Sequence, residues 1–104
     1  MKLTRPHKET VIEDLRSNTR FREAMLREGV DALLDGDLDL GKRILRDYIY
    51  ATIGFEKLGS KLKLSPKSLM RMFGPKGNPQ ARNLFAIIRV LQKEAGVELH
   101  VAAE

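Results

Sequence analysis

The sequence predicts an all-α domain of about five to six helices with one short C-terminal strand. Apolar residues recur at helical spacing along most of the 104 residues, and they alternate with polar residues only at Val97–Val101. Residue pairs typical of helix starts and stops separate the helical segments. With 42% hydrophobic and 32% charged residues, the chain is long enough for one small domain with a single core.

Two amphipathic helices are predicted in the first 36 residues. The first covers Glu9–Arg16 and carries Val11, Ile12 and Leu15 on one stripe. The second follows a Thr19 cap and ends at Asp35–Asp37. Its apolar face consists of Phe21, Met25, Leu33 and Leu34.

Four further helices are predicted from their caps. Asp37 caps a third helix that ends near Gly54. A short fourth helix carries apolar residues at i, i+3 and i+7, namely Phe55, Leu58 and Leu62. Ser65–Pro66 starts a fifth helix that runs to about Phe73, because serine is a strong N-cap and proline favours the first helical position. Asn78–Pro79 repeats this start for a sixth helix, which ends near Gly96.

The predicted strand at 97–101 has no partner strand elsewhere in the sequence. Its backbone donors and acceptors need an edge to pair with. We therefore expect it to pair across a dimer axis or with another protein's sheet; the alternative is an extended tail.

Basic residues dominate one long segment of the chain. From Lys57 to Lys93, 37 residues contain nine Lys or Arg and no Asp or Glu. Residues 1–40 carry a net charge of −2 and residues 41–104 a net charge of +7. Because apolar residues at helical spacing run through the basic segment, the bases lie on folded helices, and the expected partner is a polyanion, with nucleic acid as the first hypothesis.

The helices at 55–62 and 65–73 have the dimensions of a helix-turn-helix. Small Gly59 permits close approach of the two helices, and the hydrophobic hinge between them consists of Leu58, Leu62, Leu64, Leu69 and Met72. Lys67, Ser68 and Arg71 project from the opposite face of the second helix. Arg71 can read guanine in bidentate fashion, Lys67 can contact guanine or phosphate, and Ser68 can bond either base type.

Further residues flank this recognition helix. We expect Lys61, Lys63, Lys76 and the amide of Asn78 to hold phosphates on either side. The helix N-termini at Ser65 and Asn78 add positive partial charge for the same task. The Ser65 hydroxyl either caps its helix or contacts phosphate, and Met70 either meets a thymine methyl or faces solvent.

The stretch from Leu45 to Val101 resembles the XRE-type helix-turn-helix antitoxins of bacterial type II toxin-antitoxin modules (HigA-like). The resemblance is carried by ArgAspTyrIle at 46–49, ThrIleGlyPhe at 52–55, SerProLysSerLeuMetArgMet at 65–72 and GlyAsnPro at 77–79. It implies a lambda-repressor-like fold and a cytoplasmic, dimeric autorepressor that binds a palindromic operator in duplex DNA. It also implies a RelE/ParE-like or HigB-like toxin as partner, and it places Ser65, Lys67, Ser68 and Arg71 at recognition-helix positions.

On this basis, residues 1–36 form an N-terminal helical extension and residues 37–104 a helix-turn-helix DNA-binding domain, together one compact unit. Two features depart from the family. Lys63 stands where the turn usually has glycine, which predicts a left-handed backbone costing roughly 1 kcal/mol. The net charge is positive, whereas many antitoxins of this class are acidic and their toxins basic. The acidic region before Gly41 is therefore either a surface that faces a toxin or only two packed structural helices.

Other functions are weighed on the same residues. A free-standing XRE-type repressor without a toxin is the nearest alternative. An RNA-binding protein would need exposed aromatic stacking platforms, whereas Phe55, Phe73 and Phe85 occupy core-like positions. We expect no enzymatic activity, because the sequence contains neither a nucleophile and a general base at a persuasive spacing nor a glycine loop that could bind phosphate.

The sequence also bears on ligands and compartment. With no cysteine, and with His7 and His100 lacking second ligands at useful spacing, neither a metal nor a cofactor is expected. The N-terminus lacks the apolar region of a secretory signal, and no apolar run is long enough to cross a membrane. We expect a cytoplasmic protein.

Overall fold

A computed structural model describes residues 18–103, and within that range the chain is all-helical. Five helices follow one another: α1 (Thr19–Leu34), α2 (Leu38–Ala51), α3 (Phe55–Leu62), α4 (Pro66–Met72) and α5 (Ala81–Ala95). The first predicted helix, Glu9–Arg16, lies outside the described residues. The other five predicted helices are confirmed.

All five helices contribute to one core. Leu26 of α1 is fully buried with Leu45 and Ile49 of α2, so the segment assigned to an N-terminal extension shares the core of the domain. The remaining helices add buried residues to the same cluster: Leu58 of α3, Leu69 of α4, and Ile87 and Leu91 of α5. The rings of Phe55 and Phe73 meet edge to face, with centroids 6.4 Å apart, and join α3 to the end of α4.

Helix caps agree with the sequence at two starts and differ at two. Asp37 accepts a hydrogen bond from the Leu40 amide, and Ser65 accepts one from the Ser68 amide, as predicted. The first helix of the described chain is capped by Asn18 rather than by Thr19. The start predicted at Asn78–Pro79 is wrong, because residues 78–80 are not helical and α5 begins at Ala81 after an extended Gln80.

The predicted strand at 97–101 is not formed in the described residues. Residues 97–103 have no regular secondary structure and no ladder partners, and Val97 and Leu99 pack against the core. The Leu99 amide donates to the Gln92 side-chain oxygen at 2.7 Å. The alternation of apolar and polar residues therefore matches partial burial at Val97 and Leu99, whereas Val101 is 81% exposed.

Two apolar residues expected in the interior are exposed. Phe85, predicted at a core-like position, is 68% exposed, and Leu34, predicted on the apolar face of its helix, is 61% exposed. These two large side chains therefore add apolar area to the surface of the domain.

Candidate nucleic-acid interface

Helices α3 and α4 are joined by a turn of three residues, Lys63–Ser65. Lys63 has φ 58° and ψ 40°, which is the left-handed conformation that the sequence predicted for a residue in place of glycine. The Leu64 amide donates to the Gly59 carbonyl at 2.9 Å and closes the end of α3. A short turn of this kind fixes the angle between the two helices.

Gly59 is the point where the two helices come close together. A Cβ atom at this position would lie 2.4 Å from the Leu64 carbonyl oxygen and 3.4 Å from a methyl group of Leu69. Any larger residue would push the turn away from α3. The close approach expected from the small residue is confirmed.

The start of α4 is tied down by its own side chains. The Ser65 hydroxyl accepts from the Ser68 amide at 3.1 Å and donates to the Ser68 hydroxyl at 2.8 Å. Pro66 follows at the first helical position. Of the two roles considered for Ser65, capping is observed, and Ser68 shares the same hydrogen-bonded pair.

The two faces of α4 differ as predicted. Leu69 is fully buried and Met72 is partly buried against the core, whereas Lys67 and Arg71, four residues apart, are both exposed. Residues at this spacing lie on one helix face. Met70 is also exposed, so this side of α4 offers two cations and one apolar side chain to solvent.

The loop after α4 is held by a residue that the sequence analysis missed. Lys42 of α2 is only 3% exposed, and its ammonium donates to the carbonyls of Gly74 at 2.9 Å and Gly77 at 2.7 Å. Asp39 lies one turn earlier, with its carboxylate 3.9 Å from the same nitrogen. These contacts connect α2 to both ends of the loop.

Gly77 brings the same loop against the end of α4. A Cβ atom there would lie 2.2 Å from the Arg71 carbonyl and 2.3 Å from the Met72 carbonyl, so only glycine fits. The exposed side chains on either side of Gly77, Lys76 and Asn78, are thereby held next to the C-terminal end of α4. Residues 78–80 precede α5 and are not helical, so Asn78 does not start a helix and the helix N-terminus expected there is wrong.

Lys61 is the one predicted contact residue that forms an ion pair within residues 18–103. Its ammonium lies 3.1 Å from the Glu94 carboxylate near the end of α5. The hydrogen bond from Lys61 holds the pKa of Glu94 below its ordinary value. Lys61 therefore already has a carboxylate partner, for which a phosphate would have to compete.

The remaining cations have no such competitor among the described residues. Among the predicted contact residues, the cations Lys63, Lys67, Arg71 and Lys76 form no ion pair within residues 18–103. All four are exposed, and they lie on the turn, the outer face of α4 and the loop that packs against its end. The turn, α4 and the following loop therefore each offer exposed cationic donors, which is the chemistry that binds phosphates.

The signal for Lys42 was present in the sequence. It lies three residues before Leu45 and four after Leu38, on the apolar stripe of α2, where a charged residue needs a partner. The loop GlyProLysGly at 74–77 offers backbone carbonyls without helical donors. The pairing of the two follows only once the helices are packed.

Comparison with known proteins finds no matching family model, no matching curated protein and no matching solved structure. Within residues 18–103, no group of three or more His, Cys, Asp or Glu side chains is placed to hold a metal ion. None of the helices α1 to α5 combines the length and the apolar character needed to cross a membrane.

Proposed function

We propose that this chain is a sequence-specific DNA-binding protein that represses transcription, with α4 as the helix that enters the major groove. The observation that carries the proposal is the outer face of α4, where Lys67 and Arg71 are exposed at i, i+4 above a buried Leu69. An arginine at such a position can donate two hydrogen bonds to guanine, and a lysine can donate to guanine or phosphate.

The residues on and around α4 fall into two groups, those that contact bases and those that contact phosphates. Arg71, Lys67 and the exposed Met70 provide base contacts, while Lys63 and Lys76 on either side bind phosphates. Lys42 contributes indirectly, because its hydrogen bonds to Gly74 and Gly77 fix the loop that carries Lys76 and Asn78. Ser65 acts through its cap, which fixes the N-terminal end of α4.

Repression follows from occupancy of an operator. A dimer places two copies of α4 in successive major grooves, about 34 Å apart, on a palindromic site. A protein bound in this way blocks polymerase from the promoter it overlaps. The protein acts in the cytoplasm in this proposal.

The more specific form of the proposal is an antitoxin that represses its own operon and neutralises a RelE/ParE-like or HigB-like toxin. It rests on the resemblance of residues 45–101 to XRE-type antitoxins. The alternative is a free-standing XRE-type repressor without a toxin. Co-expression with each adjacent small gene separates the two, because an antitoxin restores growth that its toxin stops, whereas a free-standing repressor restores none.

The DNA-binding proposal is tested by gel shift on the DNA upstream of the coding sequence, with a salt titration. Arg71→Ala is expected to weaken specific binding by about 1 to 3 kcal/mol and to relax discrimination at one base position. Lys76→Ala is the matched control on the same surface. It should weaken binding to all DNA sequences alike. It should also reduce the slope of log affinity against log salt concentration by the amount expected for about one phosphate contact per subunit.

Two results contradict the proposal. One is unchanged specific binding by Arg71→Ala, which removes α4 from base recognition. The other is equal binding of wild-type protein to duplex DNA and to RNA of the same length at near-physiological salt, which favours an RNA-binding protein.

A further inference from the structure

A cavity of about 280 Å³ opens to solvent where four helices meet. Its walls are formed by the start of α1, the end of α2, the first turn of α3 and the end of α5. Ligand sites in proteins occupy about 300 to 1,000 Å³, so this cavity has the size of a site for a small organic molecule. None of the residues proposed to contact DNA lines it.

Tyr48 lines the cavity with a hydroxyl that has no partner in the protein. The ring belongs to the core, and the residue is 1% exposed. The hydroxyl forms no hydrogen bond with another residue, and it is not sealed in the interior, because no fully buried polar side-chain atom of residues 18–103 lacks a partner. It therefore faces the cavity with its hydrogen-bonding capacity unused, whereas a tyrosine hydroxyl that lies this deep usually has a partner.

Two cations line the same cavity. They are Arg22 of α1 and Lys57 of α3. Burial raises the pKa of Tyr48, and the nearby Arg22 guanidinium offsets part of that rise. The phenol hydroxyl therefore keeps its proton at neutral pH and can donate to an anion beside Arg22. The guanidinium also donates to the Thr19 hydroxyl at 3.1 Å, which helps to orient it on α1.

One carboxylate, that of Glu94 in α5, also lines the cavity. Its charge is already offset, because the Lys61 ammonium lies 3.1 Å away. The hydrogen bond from Lys61, together with the charge of Lys57, lowers the pKa of Glu94, so this carboxylate is ionised and paired at neutral pH. With Arg22, three cations surround one carboxylate. A cationic ligand would meet net repulsion here and an anionic ligand net attraction.

The remaining walls are apolar. They consist of Ile53, Leu91 and Ala95, and Leu91 is itself part of the core. The Thr52 hydroxyl donates to the Tyr48 carbonyl at 2.7 Å, so its proton is not offered to a ligand. The cavity thus combines cationic donors with an apolar wall, which suits a molecule that has an acidic group on a hydrocarbon body.

We propose that this cavity binds a small organic anion. Its acidic group, a carboxylate or a phosphate, binds Arg22 and Lys57 and accepts a hydrogen bond from the Tyr48 hydroxyl. Its apolar body packs against Ile53 and Leu91. The site is separate from the α4 surface, so the inference goes beyond the proposed DNA-binding function. It also gives a role to Lys57, a base of the acid-free segment that the α4 surface does not use.

The test is an NMR titration of the full chain with benzoate, which carries a carboxylate on a small apolar ring. Benzoate should bind saturably with a Kd of about 1 mM or tighter, and the perturbed amides should lie at Arg22 and in residues 48–57 and 91–95. Phenyl phosphate is titrated in parallel, and the tighter of the two probes identifies the acidic group. Benzyl alcohol lacks the charge and acetate lacks the ring, so each should bind at least about 10-fold more weakly.

Substitutions separate this site from weak binding elsewhere on a basic protein. Tyr48→Phe removes only the hydroxyl, so it should weaken benzoate binding by about 3- to 10-fold and leave the melting temperature unchanged. Lys57→Gln and Arg22→Gln should each weaken it by about 10-fold, and Arg22→Lys should restore part of the loss. Lys93→Gln is the matched control, because it removes the same charge from an exposed position of α5 that does not line the cavity. It should change the affinity by less than about 2-fold.

The inference is overturned by any of the following results. If neither benzoate nor phenyl phosphate binds saturably up to about 20 mM, the cavity takes no small organic anion, whether water or residues 1–17 fill it. Benzyl alcohol that binds as tightly as benzoate shows that the charge is not recognised. Wild-type affinity in both Tyr48→Phe and Lys57→Gln places the anion at another site. The titration contains no DNA, so its outcome is independent of the DNA-binding proposal.

Discussion

Replacing Lys42 by methionine tests how the loop beside α4 is held. The substitution keeps an unbranched side chain of similar length in the buried site and removes the ammonium that donates to Gly74 and Gly77. Two hydrogen bonds from a charged group contribute about 1.5 to 3 kcal/mol each. Gly74 and Gly77 are partly exposed, so water can hydrate the freed carbonyls and recover part of this lost free energy.

The expected loss is therefore about 2 to 4 kcal/mol of unfolding free energy, a large share of the roughly 5 to 15 kcal/mol typical of a domain. Urea unfolding followed by circular dichroism measures it. Arg43→Met is the matched control, because Arg43 is the next residue of α2, is exposed and has no ion pair in the described chain. It should change stability by less than about 0.5 kcal/mol.

The same variant should alter DNA binding in a specific way. With the loop released, Lys76 no longer contributes a fixed phosphate contact, so the salt slope should fall by about 0.9 per subunit at a temperature where the variant is folded. A Lys42→Met protein with wild-type stability and a wild-type salt slope would show that the two hydrogen bonds do not hold the loop.

Further predictions concern the turn and the Lys61 ion pair. Lys63→Gly relieves the left-handed backbone and should stabilise the fold by up to about 1 kcal/mol in thermal unfolding. The same variant should bind DNA more weakly, because a proposed phosphate contact is lost. Stability and DNA affinity that both rise, or both fall, contradict this. Glu94→Gln frees Lys61 and should raise the salt slope by up to about 0.9 per subunit; an unchanged slope removes Lys61 from the interface. The pKa of Glu94 is lowered in the folded chain, so the ion pair stabilises the fold at pH values above the unfolded-state pKa of this carboxyl. This stabilisation is lost as the pH falls through the folded-state pKa. Acid unfolding of Glu94→Gln should therefore lack the contribution of the Lys61–Glu94 pair.

Local sequence signals predicted the helices well because they depend on near neighbours. The Ser65–Pro66 start of α4 and the Asp37 cap of α2 each need only the following three residues. The same type of signal failed at Asn78–Pro79, where Gly77 packs on the carbonyls of Arg71 and Met72 and the chain stays non-helical for three further residues. A contact with the preceding helix there overrides a favourable local cap.

Contacts distant in sequence explain what was missed or mistaken. Lys42 meets its partners 32 and 35 residues away, so the pairing depends on the packing of α2 against the loop. The alternation at Val97–Val101 predicted a half-buried strand, and this is wrong for the described residues: only Val97 and Leu99 pack against the core, Val101 is 81% exposed, and the Leu99 amide donates to the Gln92 side chain instead of to a strand. Phe85 fits the helical stripe of α5 yet lies at its edge, which periodicity alone does not resolve.

The surface of α4 is tested most directly by an NMR titration of the protein with duplex DNA that contains its binding site. The account predicts that the perturbed amides cluster at residues 63–71 and 76–78, and that Arg71→Ala narrows the difference in affinity between specific and non-specific DNA by about 1 to 3 kcal/mol. Perturbations centred instead on Arg82, Phe85 and Arg89, with residues 63–71 unchanged, would contradict it.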